Sequence, residues 1–129
     1  MKKRFAMTQI IQLGRWAFIL PFAVFGLLHF GPLEFSLPYV PAFLPAPAFW
    51  VYFVGVCFLL FVVSAIWRKY DQLAALLLAL LLALFVVLIH LPAAIGGDFK
   101  AVIAVCRDTA MMGAALLYAG AYANDKIGQ

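Results

Sequence analysis

The 129-residue chain is 68% hydrophobic and only 11% charged, with nine Lys and Arg against five Asp and Glu. A water-soluble domain of this size has too small an interior to hide so much apolar surface, so the composition points to an integral membrane protein. The basic excess lies at the ends of apolar runs and forms no patch, which argues against nucleic acid as a partner and for a chain oriented in a lipid bilayer.

Met1 to Arg4 is a short basic start, joined through Thr8, Gln9 and Gln12 to a first apolar run at about residues 10–30. The stretch from Trp16 to Phe30 imitates a secretory signal. The nearest small-residue pair, Ala46 and Ala48, is far downstream and interrupted by Pro47, so the run reads as an uncleaved span, kinked at Pro21. Residues 31–48 then carry Pro32, Pro38, Pro41, Pro45 and Pro47 among aromatic and aliphatic side chains. That proline density excludes a regular helix or a central strand, while the apolar content predicts a loop lying along the interface as a lid on the bundle.

The second span, residues 49–67, stops at Arg68-Lys69, and the third, residues 71–91, starts at Asp71. So short a turn makes the two helices antiparallel neighbours, with Arg68 and Lys69 meeting one negative helix end and Asp71 capping the next positive one. Pro92 and Gly96-Gly97 end the third span, and Asp98 is the predicted N-cap of the fourth, residues 100–122. Spans of about 19 to 22 residues match a hydrocarbon core of about 30 Å. Without an internal repeat or polar insert, residues 1–129 read as one domain, an all-α membrane protein: a four-transmembrane-helix bundle with a proline-rich extracytoplasmic loop between helices 1 and 2. Lys2, Lys3, Arg4, Arg15, Arg68, Lys69 and Lys126 share one side of this plan, and Lys100 stands on the other. The positive-inside rule then places both termini in the cytoplasm of a bacterial inner membrane. Arg15, about one turn inside the boundary, is expected to snorkel back to the cytoplasmic surface.

Charged residues inside a span are costly and mark the candidate site. Arg107 and Asp108 fall about 12 Å below the outer surface, and His29 and His90 sit at the outer ends of their spans, about 28 Å from Ile10 and Asp71. Because helical side chains lean toward the N-terminus, the two histidines lean inward and the Arg-Asp pair leans outward, toward one another. His90 shares a face with Ala79 and Ala83, and Ala110, Gly113, Ala114, Gly120 and Ala121 offer a close-packing surface on the fourth span. The expected site is an outward-opening pocket of His29, His90, Arg107 and Asp108, with Glu34 of the loop able to close over it. Each residue also has a plainer reading: Arg107 snorkelling to lipid phosphate, the histidines touching headgroups, Glu34 solvated, and Asp108 held in a structural pair. Standing about 100° round the helix from Arg107, Asp108 is not expected simply to neutralise it. Cys57 and Cys106 lie at similar depth, as a redox pair or, more commonly, as small packing residues. No zinc spacing, phosphate loop, nucleophile elbow or haem-attachment motif is present, so no metal and no catalytic residue is assigned.

Gly14-Arg15-Trp16, Phe25-Gly26-Leu27-Leu28-His29-Phe30, the loop segment Val40 to Pro47 and Phe49-Trp50-Val51-Tyr52-Phe53-Val54-Gly55 resemble the DoxX-like family of small bacterial membrane proteins. The likeness is specific from Gly14 to about Gly55 and rests on hydropathy and an arginine beyond that. It implies a compact four-helix membrane bundle with a link to redox chemistry, since the family name comes from a subunit associated with a thiosulfate:quinone oxidoreductase. The chain departs from a common form of the second span, in which a Glu follows the Gly-Val pair; here Gly55-Val56 precedes Cys57. The leading expectation is binding of an amphipathic, membrane-soluble ligand, a quinone or a lipid, within a redox assembly. The alternative is a non-catalytic membrane subunit or assembly factor of a larger complex. A transporter ranks third, because one four-helix chain lacks inverted repeats.

Overall fold

The computed structural model describes residues 1–129 and contains only helices, turns and loops. Four helices are long and apolar enough to cross a membrane: α1 Lys2–Leu28, α2 Pro47–Trp67, α3 Asp71–Ile95 and α4 Phe99–Tyr122. They run up and down. One end of the bundle gathers the start of α1, the α2–α3 turn and the end of α4, and is the basic end; the other carries the proline-rich loop and the α3–α4 turn. Large side chains such as Leu60, Leu77, Val87 and Leu117 stay more than half exposed on the outward faces. A helix apolar all round belongs against lipid or another apolar surface, which fits a bilayer environment.

Two helix boundaries differ from expectation. α1 begins at Lys2, not near Ile10, because the segment from Lys2 to Gln12 contains no breaker and is rich in residues that lose little entropy in a helix. α3 passes over Pro92 to Ile95. Pro92 lacks the N–H that the preceding turn would use, and the helix widens into a π turn over Val86–His90 just before it. Asp98 caps α4 as predicted, accepting from the Lys100 N–H at 2.9 Å. Gly97, at φ 100°, makes the reversal that separates α3 from this cap.

The core is a column of aromatic and small residues: Ile19 and Phe22 of α1, Phe58, Phe61 and Ala65 of α2, Ala75, Leu78, Ala79 and Leu82 of α3, and Ala115, Tyr118 and Ala119 of α4. Phe22 meets Phe18, Phe58 and Phe61 at centroid distances of 5.4–5.5 Å, in edge-on or tilted geometry suited to the ring quadrupole. Where α1 crosses α2 the backbones nearly touch. A Cβ on Gly55 would lie 2.8 Å from His29 Cβ and 3.1 Å from the Gly26 carbonyl oxygen, so this glycine sets how closely His29 approaches α2. The expected small-residue surface on α4 is corrected: Ala110, Gly120 and Ala121 are exposed, and a Cβ on Gly113 or Gly120 would meet nothing. The packed face is that of Ala101, Asp108, Ala115, Tyr118 and Ala119, about a quarter-turn or more away.

At the basic end the chain is tied by Asp71, which is fully buried. Its carboxylate accepts from the Asn124 N–H (2.9 Å), the Asp125 N–H (2.8 Å) and the Tyr118 hydroxyl (3.2 Å), so it fastens the tail to the start of α3 instead of capping its own helix; Tyr70 holds the cap position. Gln72 adds a bond to the Ala119 carbonyl and receives the Ile127 N–H. Arg68 and Tyr70 both adopt left-handed backbone, at φ 57° and 55°, which non-glycine residues take only when neighbours impose it. Here the Asp125 carboxylate accepts the Tyr70 N–H at 2.7 Å, the Asn124 amide donates to the Arg68 carbonyl, and Arg68 Nη2 donates to the Tyr122 carbonyl at 3.0 Å.

Candidate functional site

The loop end of the bundle holds a half-open cavity of about 710 Å³ with walls from all four helices and from the loop. That volume falls within the range of small-molecule sites, about 300–1,000 Å³. Its body is apolar, built by Phe25, Val54, Phe58, Leu82, Phe85, Leu88 and Met111. Polar groups collect on the α3–α4 side. The packed face of α4 carries Asp108 inward to 1% exposure, and the end of the α3 π turn delivers His90 opposite it. His90 Nε2 stands 3.2 Å from Asp108 Oδ2, and Arg107 Nε donates to Asp108 Oδ1 at 2.7 Å.

The one-residue offset between Arg107 and Asp108 was expected to keep them apart, and the structure corrects this. The long arginine arm folds back across its neighbour, whose carboxylate is held inward, so that pairing needs no shared helix face. Arg107 is 55% exposed in its side chain, leaving its terminal guanidinium nitrogens free to meet a second acceptor, whereas the His90 side chain is 12% exposed. Asp108 therefore has both oxygens engaged and acts as the pivot that sets the other two.

His29 lines the same cavity from α1. Its Nδ1 is 2.6 Å from the Phe25 carbonyl oxygen; a carbonyl only accepts, so Nδ1 donates and Nε2 is left as the acceptor of the neutral ring. The ring packs edge-on against Phe58 at 5.4 Å. Glu34 does not join the site. It is exposed on a 3-10 turn, Leu33–Phe35, and lies outside the cavity walls. The loop contributes Phe35, Ser36, Tyr39, Val40, Pro41 and Leu44 instead. A second 3-10 turn, Leu37–Tyr39, brings the Tyr39 ring to 6.4 Å from the His90 ring, edge-on. Trp50 at the start of α2 donates from Nε1 to the Pro45 carbonyl at 2.8 Å and ties the end of the loop to the wall.

His29, His90, Arg107 and Asp108 thus line one cavity together with Tyr39 and Trp50, two residues that the aromatic content in and beside the proline-rich loop could have signalled. Cys57 is half-buried on α2 and Cys106 exposed on α4, both as free thiols. No group of three or more His, Cys, Asp or Glu side chains is placed to hold a metal ion. Arg15 is another correction: it is half-buried, donates from Nη2 to the Ala65 carbonyl at 2.6 Å and stacks on aromatic rings, because Tyr122 and the end of α2 supply partners nearer than the solvent.

No protein-family model, curated protein or solved structure matches the chain.

The arrangement offers cationic donors from Arg107, imidazole groups from His29 and His90, and an aromatic and aliphatic chamber beside them. A molecule with an oxygen-bearing head and an apolar body matches this division of surface.

Proposed function

We propose that the protein is a DoxX-like integral membrane protein of the bacterial inner membrane, with both termini in the cytoplasm, that binds an amphipathic, membrane-soluble ligand, a quinone or a lipid, at its extracytoplasmic end. The observation that carries this reading is the 710 Å³ apolar cavity with the Arg107–Asp108–His90 cluster on one wall. The motif likeness between Gly14 and Gly55 and the concentration of Lys and Arg at the opposite end support the family and the orientation. In this reading Arg107 grips a carbonyl, phosphate or other anionic oxygen, His90 and His29 exchange protons with it, and the proline-rich loop is the roof. In the fuller form of this reading the protein binds its ligand as part of a redox assembly.

Trp50 lines the cavity and gives the test. In a Trp16→Phe/Trp67→Phe background it is the sole tryptophan, and a short-chain ubiquinone analogue is expected to quench it saturably in detergent. Arg107→Gln should weaken that binding by about tenfold, the loss of one charge-assisted hydrogen bond. Linear, non-saturating quenching identical in both proteins would remove the quinone-binding proposal, and a parallel titration with a short-chain phospholipid covers the lipid arm.

A second reading, a non-catalytic subunit or assembly factor, has its own support: Asp108 finds both its partners within the chain, and on α4 Ala110 and Gly120 are exposed while a Cβ on Gly113 or Gly120 would meet nothing. Native mass spectrometry after mild detergent extraction separates the two. A mass increment of a quinone or lipid favours binding, and a second polypeptide favours the subunit.

A further inference from the structure

The basic end of the bundle holds two arginines that no carboxylate neutralises. Arg15 of α1 and Arg68 at the α2–α3 turn each spend one Nη2 on a backbone carbonyl, Ala65 and Tyr122 respectively. Both guanidinium groups lie over the same ring: the Arg68 carbon is 5.2 Å and the Arg15 carbon 5.7 Å from the centre of Tyr122. One aromatic side chain therefore has two like charges within about 6 Å of its centre. The carboxylate contacts within 4 Å of a basic side chain are both at Asp108, at the far end. The acids at the basic end are committed elsewhere, Asp71 to the Asn124 and Asp125 N–H groups and the Tyr118 hydroxyl, and Asp125 to the Tyr70 N–H.

Both arginines are half-buried, and their Nε atoms are fully buried without a hydrogen-bond partner. Two partly desolvated cations that share one ring repel each other, and an anion reaching both relieves that repulsion most effectively. Guanidinium groups match tetrahedral oxyanions through paired N–H donors. The surroundings say which oxyanion is at hand. Trp16, Trp67 and Tyr70 are exposed around this end, at 39%, 72% and 71%, the aromatic pattern of headgroup depth, and Lys69 and Lys126 flank it.

We propose that Arg15 and Arg68, organised by Tyr122, form a phosphate-binding site that takes the headgroup of an anionic phospholipid. The site is separate from the loop-end cavity and shares with its proposed function only the membrane placement. It gives the α1–α2 and α2–α4 junctions a common anionic cement, so that lipid composition controls the stability of the basic end. Arg15, Arg68 and Tyr122 are positioned by bonds to backbone carbonyls and to Gln12, which receives the Tyr122 hydroxyl at 3.4 Å, so the site exists before the lipid arrives.

The test is native mass spectrometry and thermal unfolding of the full chain in detergent, titrated with phosphatidylglycerol, phosphatidylcholine or inorganic phosphate. The wild type is expected to retain phosphatidylglycerol in preference to phosphatidylcholine and to be stabilised by it. Arg15→Gln/Arg68→Gln should lower that preference by about fivefold for each cation removed. Arg15→Lys/Arg68→Lys, which keeps both charges, should retain much of it, as should Lys2→Gln/Lys3→Gln/Arg4→Gln, which removes charge elsewhere. If the glutamine pair does not fold, the lysine pair and the wild-type lipid preference still decide. Equal retention of the two lipids by the wild type overturns the proposal, as does a loss as large in the Lys2/Lys3/Arg4 variant as in the arginine pair. Stabilisation by millimolar inorganic phosphate with no lipid preference would retain the phosphate chemistry and overturn the lipid as its source.

Discussion

Replacing Asp108 tests the candidate site at its pivot. Asp108→Asn keeps the volume and an oxygen for Arg107 Nε but removes the charge that faces Arg107 at 2.7 Å and His90 at 3.2 Å. Hydrogen bonds to charged groups contribute about 1.5–3 kcal/mol, against about 1 kcal/mol for neutral ones. Arg107 is half exposed, so solvent screens its share to about 0–1 kcal/mol, and the more enclosed His90 side carries the rest. The expected cost is about 2 kcal/mol for Asp108→Asn. Asp108→Leu leaves both partners without an acceptor and should cost more, about 3 kcal/mol or above. Unfolding in mixed micelles by SDS titration, followed by tryptophan fluorescence, measures both. A double-mutant cycle with His90→Gln should then give a coupling above about 0.5 kcal/mol. A leucine variant as stable as the wild type, with no coupling to His90, would refute the pivot argument, because the cluster would then be a set of independent surface contacts.

The other predictions address how the bundle is held. Asp71→Ala takes the acceptor from two N–H groups of the tail and from the buried Tyr118 hydroxyl; a loss of about 1–3 kcal/mol is expected, and trypsin should cut at Lys126 far faster than in the wild type. Gly55→Ala forces α1 and α2 apart, since its Cβ would stand 2.8 Å from His29 Cβ, and should cost about 1–3 kcal/mol in the same micelle assay. Gly113→Ala meets nothing and should be neutral or stabilising by up to about 1 kcal/mol, so reversal of this order would contradict the packing described. Tyr70→Asn keeps the N–H that Asp125 accepts and tolerates φ 55° better, so unfolding should shift toward higher SDS by up to about 1 kcal/mol.

Several of these features could be read from residue order alone. Apolar runs of membrane length, the Arg68-Lys69-Asp71 reversal and the Asp98 cap are local signals, carried by composition and by groups a few residues apart, and they return as α1 to α4, with α1 starting well before Ile10, at Lys2, and α3 running past Pro92 to Ile95. His90 does face inward, but the π turn over Val86–His90 shifts its phase relative to Ala79, so its place opposite Asp108 is decided by the structure.

What stayed hidden depended on partners distant in sequence or on side-chain reach. Asp71 looks like a helix cap until the tail at Asn124 and Asp125 folds back onto it. Arg15 looks like a snorkelling residue until Ala65 and Tyr122 arrive beside it. The packed face of α4 could not be chosen from its small residues, because alanine and glycine mark both sides of that helix and only the neighbours decide which side is buried. By itself the sequence determined four apolar helices, their order and their alternating direction, since those follow from period, length and short turns. The tertiary structure alone decided that Arg107 folds onto Asp108, that Tyr39 and not Glu34 approaches His90, and that two arginines share one tyrosine ring, because each is a contact between groups whose meeting depends on how the helices rotate and how far the side chains bend.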